Sequence, residues 1–204
     1  MRAGRRLGAR AALAAALGLV AGTFIAGVPA RAREPEAYPH FPARLATAAA
    51  VHTAARLAHT LKDPLVAERL DIPPDVFDDA RRSCLDAAAG SLPDDARAEA
   101  LTCAADLGAS VTSFLADDSA ALRATAAALA GARARAGLTA LAADRNAGVA
   151  ATALGLLCAD DAARTLRDLD AAGRTRVATL AADRTTDPGL AADLARCLRA
   201  KPPR

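Results

Sequence analysis

The sequence predicts an all-α protein made of short antiparallel helical hairpins. Three observations predict it. Alanine fills 61 of the 204 positions, and no residue favours a helix more strongly. The prolines and glycines fall at the ends of apolar-periodic stretches rather than within them, where they start and stop helices. No stretch alternates convincingly between apolar and polar residues, and with no Trp, one Tyr and four Phe the chain lacks the aromatic side chains on which β-rich folds draw. The same composition excludes a disordered polar tail and a collagen-like chain.

The elements follow in chain order. Residues 1–10 carry Arg2, Arg5, Arg6 and Arg10, and residues 11–30 are uncharged and apolar. Ala30, Arg31 and Ala32 then form the small-x-small pattern of a signal-peptidase site, so residues 1–32 read as a signal peptide cleaved after Ala32. The alternative is an uncleaved anchor, since 20 apolar residues span about 30 Å as a helix. Gly18, Gly22, Gly27 and Pro29 weaken such a helix. No cysteine follows the apolar stretch to take a lipid. Either route exports the body, which is expected to be periplasmic or secreted. The Arg5–Arg6 pair is a feature of twin-arginine export, although Leu7, Gly8 and Ala9 match the rest of that motif poorly.

Charge supports this division. The net charge is +3, but Arg2, Arg5, Arg6, Arg10 and Arg31 all lie in the leader. Without them 21 basic residues face 23 acids. A basic excess is the electrostatic footprint of nucleic-acid binding, and the exported body has none. The expected partner is another protein, with no nucleic acid and no membrane contact beyond the leader.

Residues 33–42 are Pro-rich and read as an extended lead-in. Helices are expected over about 43–62, 64–70, 75–89 and 93–107, forming an N-terminal region of hairpins over 43–108. A second region, 109–204, is expected to hold helices at about 109–116, 119–130, 134–143, 147–158, 161–170, 174–182 and 188–199. Connections this short force neighbouring helices into antiparallel pairs. The paired acids Asp94–Asp95, Asp117–Asp118 and Asp160–Asp161 each open a predicted helix. There a carboxylate accepts free backbone N–H groups, so they read as caps rather than catalytic pairs.

The C-terminal half repeats itself. Residues 138–158 align without a gap on 177–197: Leu141, Ala142, Ala143, Asp144 and Arg145 match Leu180, Ala181, Ala182, Asp183 and Arg184, and Cys158 falls on Cys197. An upstream copy runs from Leu115 through Asp118, Leu122 and Ala126 to Leu129. Each unit is a helix, an Asp-bearing turn and a second helix. Residues 122–131, Leu-Arg-Ala-Thr-Ala-Ala-Ala-Leu-Ala-Gly, come near the pattern Val-Arg-x-x-Ala-Ala-x-Ala-Leu-Gly. In these features the chain, over about 109–199, resembles HEAT-like repeat proteins of the short bacterial, phycobilisome-lyase-like type. The helix over 147–158 lacks the Arg of that pattern, and the repeat spacing is uneven. The resemblance implies hairpins stacked as a short α-solenoid with a binding surface, and no catalytic residues.

Cys84, Cys103, Cys158 and Cys197 all lie in the exported body. Their spacing does not suit zinc, and an even number in an oxidising compartment reads as disulfides. Four cysteines allow three pairings. Cys84–Cys103 is preferred because both stripes face inward across the Gly90–Pro93 bend. Cys158–Cys197 is preferred because the two occupy matching positions of two repeats.

The remaining candidates carry little chemistry. His52 and His59 lie seven residues apart, about 10.5 Å along a helix and too far to share one ion. They sit opposite the stripe of Ala50, Ala54, Leu57 and Leu61, on a face expected to be solvated. Asp168 and Asp170 resemble half a calcium loop, but the twelfth position is Thr179 rather than a glutamate. No nucleophile elbow and no phosphate-binding loop occur. The expectation is therefore no catalytic, cofactor or metal residue, no cofactor and no enzymatic activity. The function expected is that of an exported, disulfide-stabilised helical-repeat protein acting as a protein-binding or scaffold module, with Arg123, Arg145 and Arg184 as its binding surface. Two alternatives stand beside it: a small envelope domain with an enzymatic or regulatory role, and a self-associating structural envelope protein.

Overall fold

The computed structural model describes residues 41–42, 44–70, 72–183 and 186–200. The leader, its cleavage position after Ala32 and nearly all of the lead-in lie outside them. Among the described residues the protein is all-α. Its helices are α1 (Ala48–Leu61), α2 (Pro64–Leu70), α3 (Pro74–Ala89), α4 (Asp94–Asp106), α5 (Ala120–Ala130), α6 (Arg135–Leu141), α7 (Ala147–Asp168), α8 (Ala171–Ala182) and α9 (Pro188–Arg199). None is long and apolar enough to cross a membrane.

Local chemistry sets most of these ends. Pro74 and Pro188 occupy first-turn positions, where the missing N–H costs nothing. Thr47, Ser119, Asn146, Asp170 and Asp187 cap α1, α5, α7, α8 and α9 with side-chain oxygens. Gly108 follows α4 with φ +83, a left-handed conformation that glycine adopts without penalty.

Three expectations change. Residues 109–116 form only a short 3-10 turn, Thr112–Ala116. The helices expected at 147–158 and 161–170 are one run, α7, broken at the single residue Asp161 (φ −148, ψ 93). The paired acids do not all cap. Ser119 rather than Asp118 caps α5, and Asp160 forms an ion pair with Arg135. Asp161 does act as a cap at the break in α7, accepting the Arg164 N–H at 2.9 Å.

The helices pack as follows. α3 and α4 form an antiparallel hairpin. Arg97 Nε donates to the Ala88 carbonyl at one end, and Arg81 Nε to the Leu107 carbonyl at the other. α1 lies along α4 in the same direction, since His52 meets Glu99 and His59 meets Asp106. α4 and α5 begin side by side, where Ser119 Oγ donates to Asp94 at 2.6 Å. α9 runs along α7 in the same direction, with Leu190 over Gly155 and Cys197 beside Cys158.

The buried side chains gather in two clusters. The first runs from Leu45 to Ala126 and the second from Ala127 to Cys197, so α5 serves both. Much of the first cluster is alanine, with Leu101 and Leu122 as its largest fully buried side chains. Each alanine buries little apolar area, so each contributes little of the usual ~25 cal/mol per Å². Slender side chains do let helices approach closely. At Gly155 a Cβ would collide with the Leu190 side chain of α9. Gly155→Val is therefore expected to crowd the Leu190 side chain out of its seat and destabilise the protein by about 1–3 kcal/mol in urea unfolding. An unchanged midpoint would show that Leu190 turns aside without cost.

Both clusters are crosslinked internally. Cys84–Cys103 joins α3 to α4 with Cα atoms 5.9 Å apart, and Cys158–Cys197 joins α7 to α9 at 5.3 Å. The second pair does not occupy equivalent helix positions. The caps Asn146 and Asp187 begin the two helices at a wider offset than Asp144 and Asp183, so the gapless alignment slips by two residues. The bridge forms because the two helices lie side by side.

Candidate functional site

Arg123 is the fourth residue of α5, and its guanidinium is almost fully enclosed (7% exposed). This overturns its reading as a surface residue. Nε and Nη2 donate to the two oxygens of Asp144 at 2.7 and 3.0 Å. Nη1 donates to the carbonyls of Asp117 and Asp118 at 2.8 and 2.9 Å. One side chain thus ties together the turn before α5 and the turn before α7. A bidentate Arg–carboxylate pair removed from water is stronger and more specific in geometry than a surface pair. The hydrogen bond from Arg123 holds the Asp144 carboxyl below the usual carboxylate range, and the same bond raises the Arg123 pKa.

Arg97 makes a similar clamp. It is the fourth residue of α4 and donates to Asp117 at 2.8 Å. Arg176 of α8 fastens the same turn before α7 that Arg123 holds, reaching it from later in the chain and donating to the carbonyls of Ala142 and Asp144. The sequence reading missed this series, although the signal was present: an arginine four residues into a helix, then an aspartate 20 or 21 residues later. Of the other two arginines proposed for a binding surface, Arg145 is exposed and Arg184 lies outside the described residues.

The histidines sit on the solvent side of α1, with side chains 60% and 69% exposed. The buried stripe is Val51, Ala54, Ala58 and Leu61, turned from the expected one toward the histidines. That rotation brings them to the edge of α4. His52 Nδ1 lies 2.7 Å from Glu99, and His59 Nδ1 lies 3.1 Å from Asp106. Lys62 Nζ approaches His59 Nδ1 at 2.8 Å. An open groove of about 620 Å³ lies between α1 and α4. Ala55 and Ala98 line it with Arg56, Glu99 and Asp106, and Thr125 reaches it from α5. Among the described residues Arg56 has no ion-pair partner.

A second polar cluster surrounds the break in α7. Arg135 pairs with Asp160 on one side of it and with Asp168 on the other, each at 3.2 Å. Buried Thr165 lies within reach of the Leu157 and Asp161 carbonyls and accepts from Arg135. The carboxylates that resembled half a calcium loop are thus engaged. Asp168 holds Arg135, and Asp170 caps α8 through Gly173 N at 2.7 Å. Among the described residues no three potential metal-ligating side chains converge.

Comparison with models of protein families, with characterised proteins and with solved structures finds no match for the chain.

Proposed function

We propose that this chain is an exported helical-repeat protein that binds another protein through the groove face of its helices. The observation that carries this reading is the pair of clamps Arg97–Asp117 and Arg123–Asp144. Arg97 fastens α4 to the turn before α5, and Arg123 fastens α5 to the turn before α7. Such fastening suits hairpins stacked in one direction, as in HEAT-like solenoids, whose stability comes from contacts between neighbours. The shared direction of α1 with α4 and of α7 with α9 supports the same reading. Two buried disulfides are compatible with an exported protein. The groove between α1 and α4, with Arg56 and Glu99 on opposite walls, is the surface such a stack offers to a partner.

Cross-linking in the native envelope tests the proposal. Wild-type protein is expected to capture a protein that the folded double variant Arg56→Glu/Glu99→Arg does not. Capture of the same proteins by both, or of none by wild type, would overturn it. The intact mass of the exported chain, before and after reduction, tests the location. Loss of residues 1–32 and a gain of four hydrogens on reduction are expected.

A further inference from the structure

Resting on that exported location, we propose that the protein is a substrate of a thiol–disulfide oxidase that acts on it twice, first at Cys84 and Cys103 and then at Cys158 and Cys197, with no isomerisation step between.

The argument starts from connectivity. Each bridge joins cysteines that are consecutive in the chain, and no free cysteine remains. Each also lies inside one buried cluster: Cys84 and Cys103 in the first, Cys158 and Cys197 in the second. The first bridge belongs to the α3–α4 hairpin, whose fastenings at Ala88, Arg97, Arg81 and Leu107 all precede residue 109. Those two fastenings lie within the hairpin itself, while Arg97 also reaches Asp117 and the surrounding cluster extends to Ala126.

Loop closure then sets the order. Closure probability falls roughly as the −3/2 power of loop length. Cys103 is 19 residues from Cys84 and 55 from Cys158, so its correct partner is favoured about fivefold. Cys158 is less well guided. Cys197 lies 39 residues away and Cys103 lies 55 away, a preference of only about 1.7-fold. The first bridge removes this ambiguity by occupying Cys103. A chain exported from its N-terminus also presents Cys84 and Cys103 to the oxidase before Cys158 emerges.

Burial makes the first pairing decisive. All four cysteines are at most 1% exposed once folded, so a wrong bridge enclosed in a core would be out of reach of exchange. Each oxidation balances without another reagent. One cysteine thiolate attacks the oxidase disulfide, forming a mixed disulfide and releasing the oxidase's other sulfur as a thiolate. The second cysteine thiolate attacks the mixed disulfide, closing the bridge and releasing the first oxidase sulfur. Two electrons pass to the oxidase, and two protons leave the protein.

The test is oxidative refolding. Full-length protein, reduced in denaturant, is refolded with oxidised glutathione, quenched by alkylation at intervals and mapped by mass spectrometry. The expected one-bridge species is mainly Cys84–Cys103, the two-bridge species is the native pair, and added disulfide isomerase leaves the yield unchanged. In Cys84→Ser, where Cys103 stays free, a crossed Cys103–Cys158 bridge is expected in roughly a third of early molecules. Early dominance of Cys158–Cys197, crossed bridges in well over about a quarter of one-bridge wild-type molecules, crossed pairs that persist in the two-bridge species, or a yield that depends on isomerase would overturn the proposal. Free thiols in natively produced protein would overturn the exported location and the oxidase with it, whereas a different bridge order in a protein that is natively bridged would overturn the proposed sequence alone.

Discussion

Replacing Cys158 and Cys197 together by serine is expected to lower stability by about 4 kcal/mol, and replacing Cys84 and Cys103 by about 3 kcal/mol. The difference follows from the loops closed, 39 and 19 residues, since a longer loop takes more freedom from the unfolded chain. These losses are large beside the roughly 5–15 kcal/mol by which domains are usually stable. They matter here because the first cluster is alanine-rich, and alanine contributes little burial per residue. Urea unfolding of the oxidised variants checks the magnitude. Hydrogen exchange checks the location: loss of Cys158–Cys197 should loosen α7 and α9 more than α3 and α4, because each bridge lies within one cluster. A change below about 1 kcal/mol for both double variants would show that packing alone holds the helices.

Arg123→Ala is expected to cost about 3 kcal/mol, the scale for removing one partner of a buried pair. It leaves the Asp144 carboxylate with only the Asn146 N–H and takes the arginine bonds from the carbonyls of Asp117 and Asp118. Arg123→Lys should rescue only part of this, because an ammonium cannot reproduce the bidentate fork. The pH dependence follows from the depressed Asp144 pKa, whose first cause is the bond from Arg123. A carboxyl that is more acidic folded than unfolded stabilises the fold above its unfolded pKa of about 4. That contribution is lost as pH falls below this value and through the folded pKa. The raised Arg123 pKa reports the same bond from its other end, and because arginine stays protonated in this range it adds no separate pH dependence. Asp144→Asn should therefore be less stable at neutral pH and should flatten the stability profile below about pH 4. A variant that keeps the wild-type acid slope would place the titrating group elsewhere.

The helical punctuation was legible because it is local. The prolines and capping side chains act on N–H groups within a turn of themselves, so Pro64–Leu70 and Pro188–Arg199 could be read without knowing what they pack against. The hairpin bridge was legible for a similar reason, since the Gly90–Pro93 bend leaves Cys84 and Cys103 facing one another. Where the reading failed, distant residues decided. Arg123 looked like a surface residue because arginines on alanine-rich helices usually are. Its burial depends on Asp144, 21 residues away. The stripe on α1 was displaced because α4, not the helix's own periodicity alone, determined which side is covered. The groove with Arg56 and Glu99 also joins residues of two separate helices, and nothing in either helix alone announces it.

The order of residues by itself determined that the described chain is helical, where most helices start and stop, and that sulfur crosslinks were available to brace them. Propensity, capping and chain-breaking residues act over one turn and need no partner. Tertiary structure alone decided which arginine would be enclosed, how the helix at Ala147–Asp168 would bend at Asp161, and how Cys158 would meet Cys197 from unequal helix positions. Those outcomes depend on which surfaces are excluded from water when separate helices meet, and side chains as small as alanine leave many such meetings nearly equal in energy until ion pairs and disulfides select one.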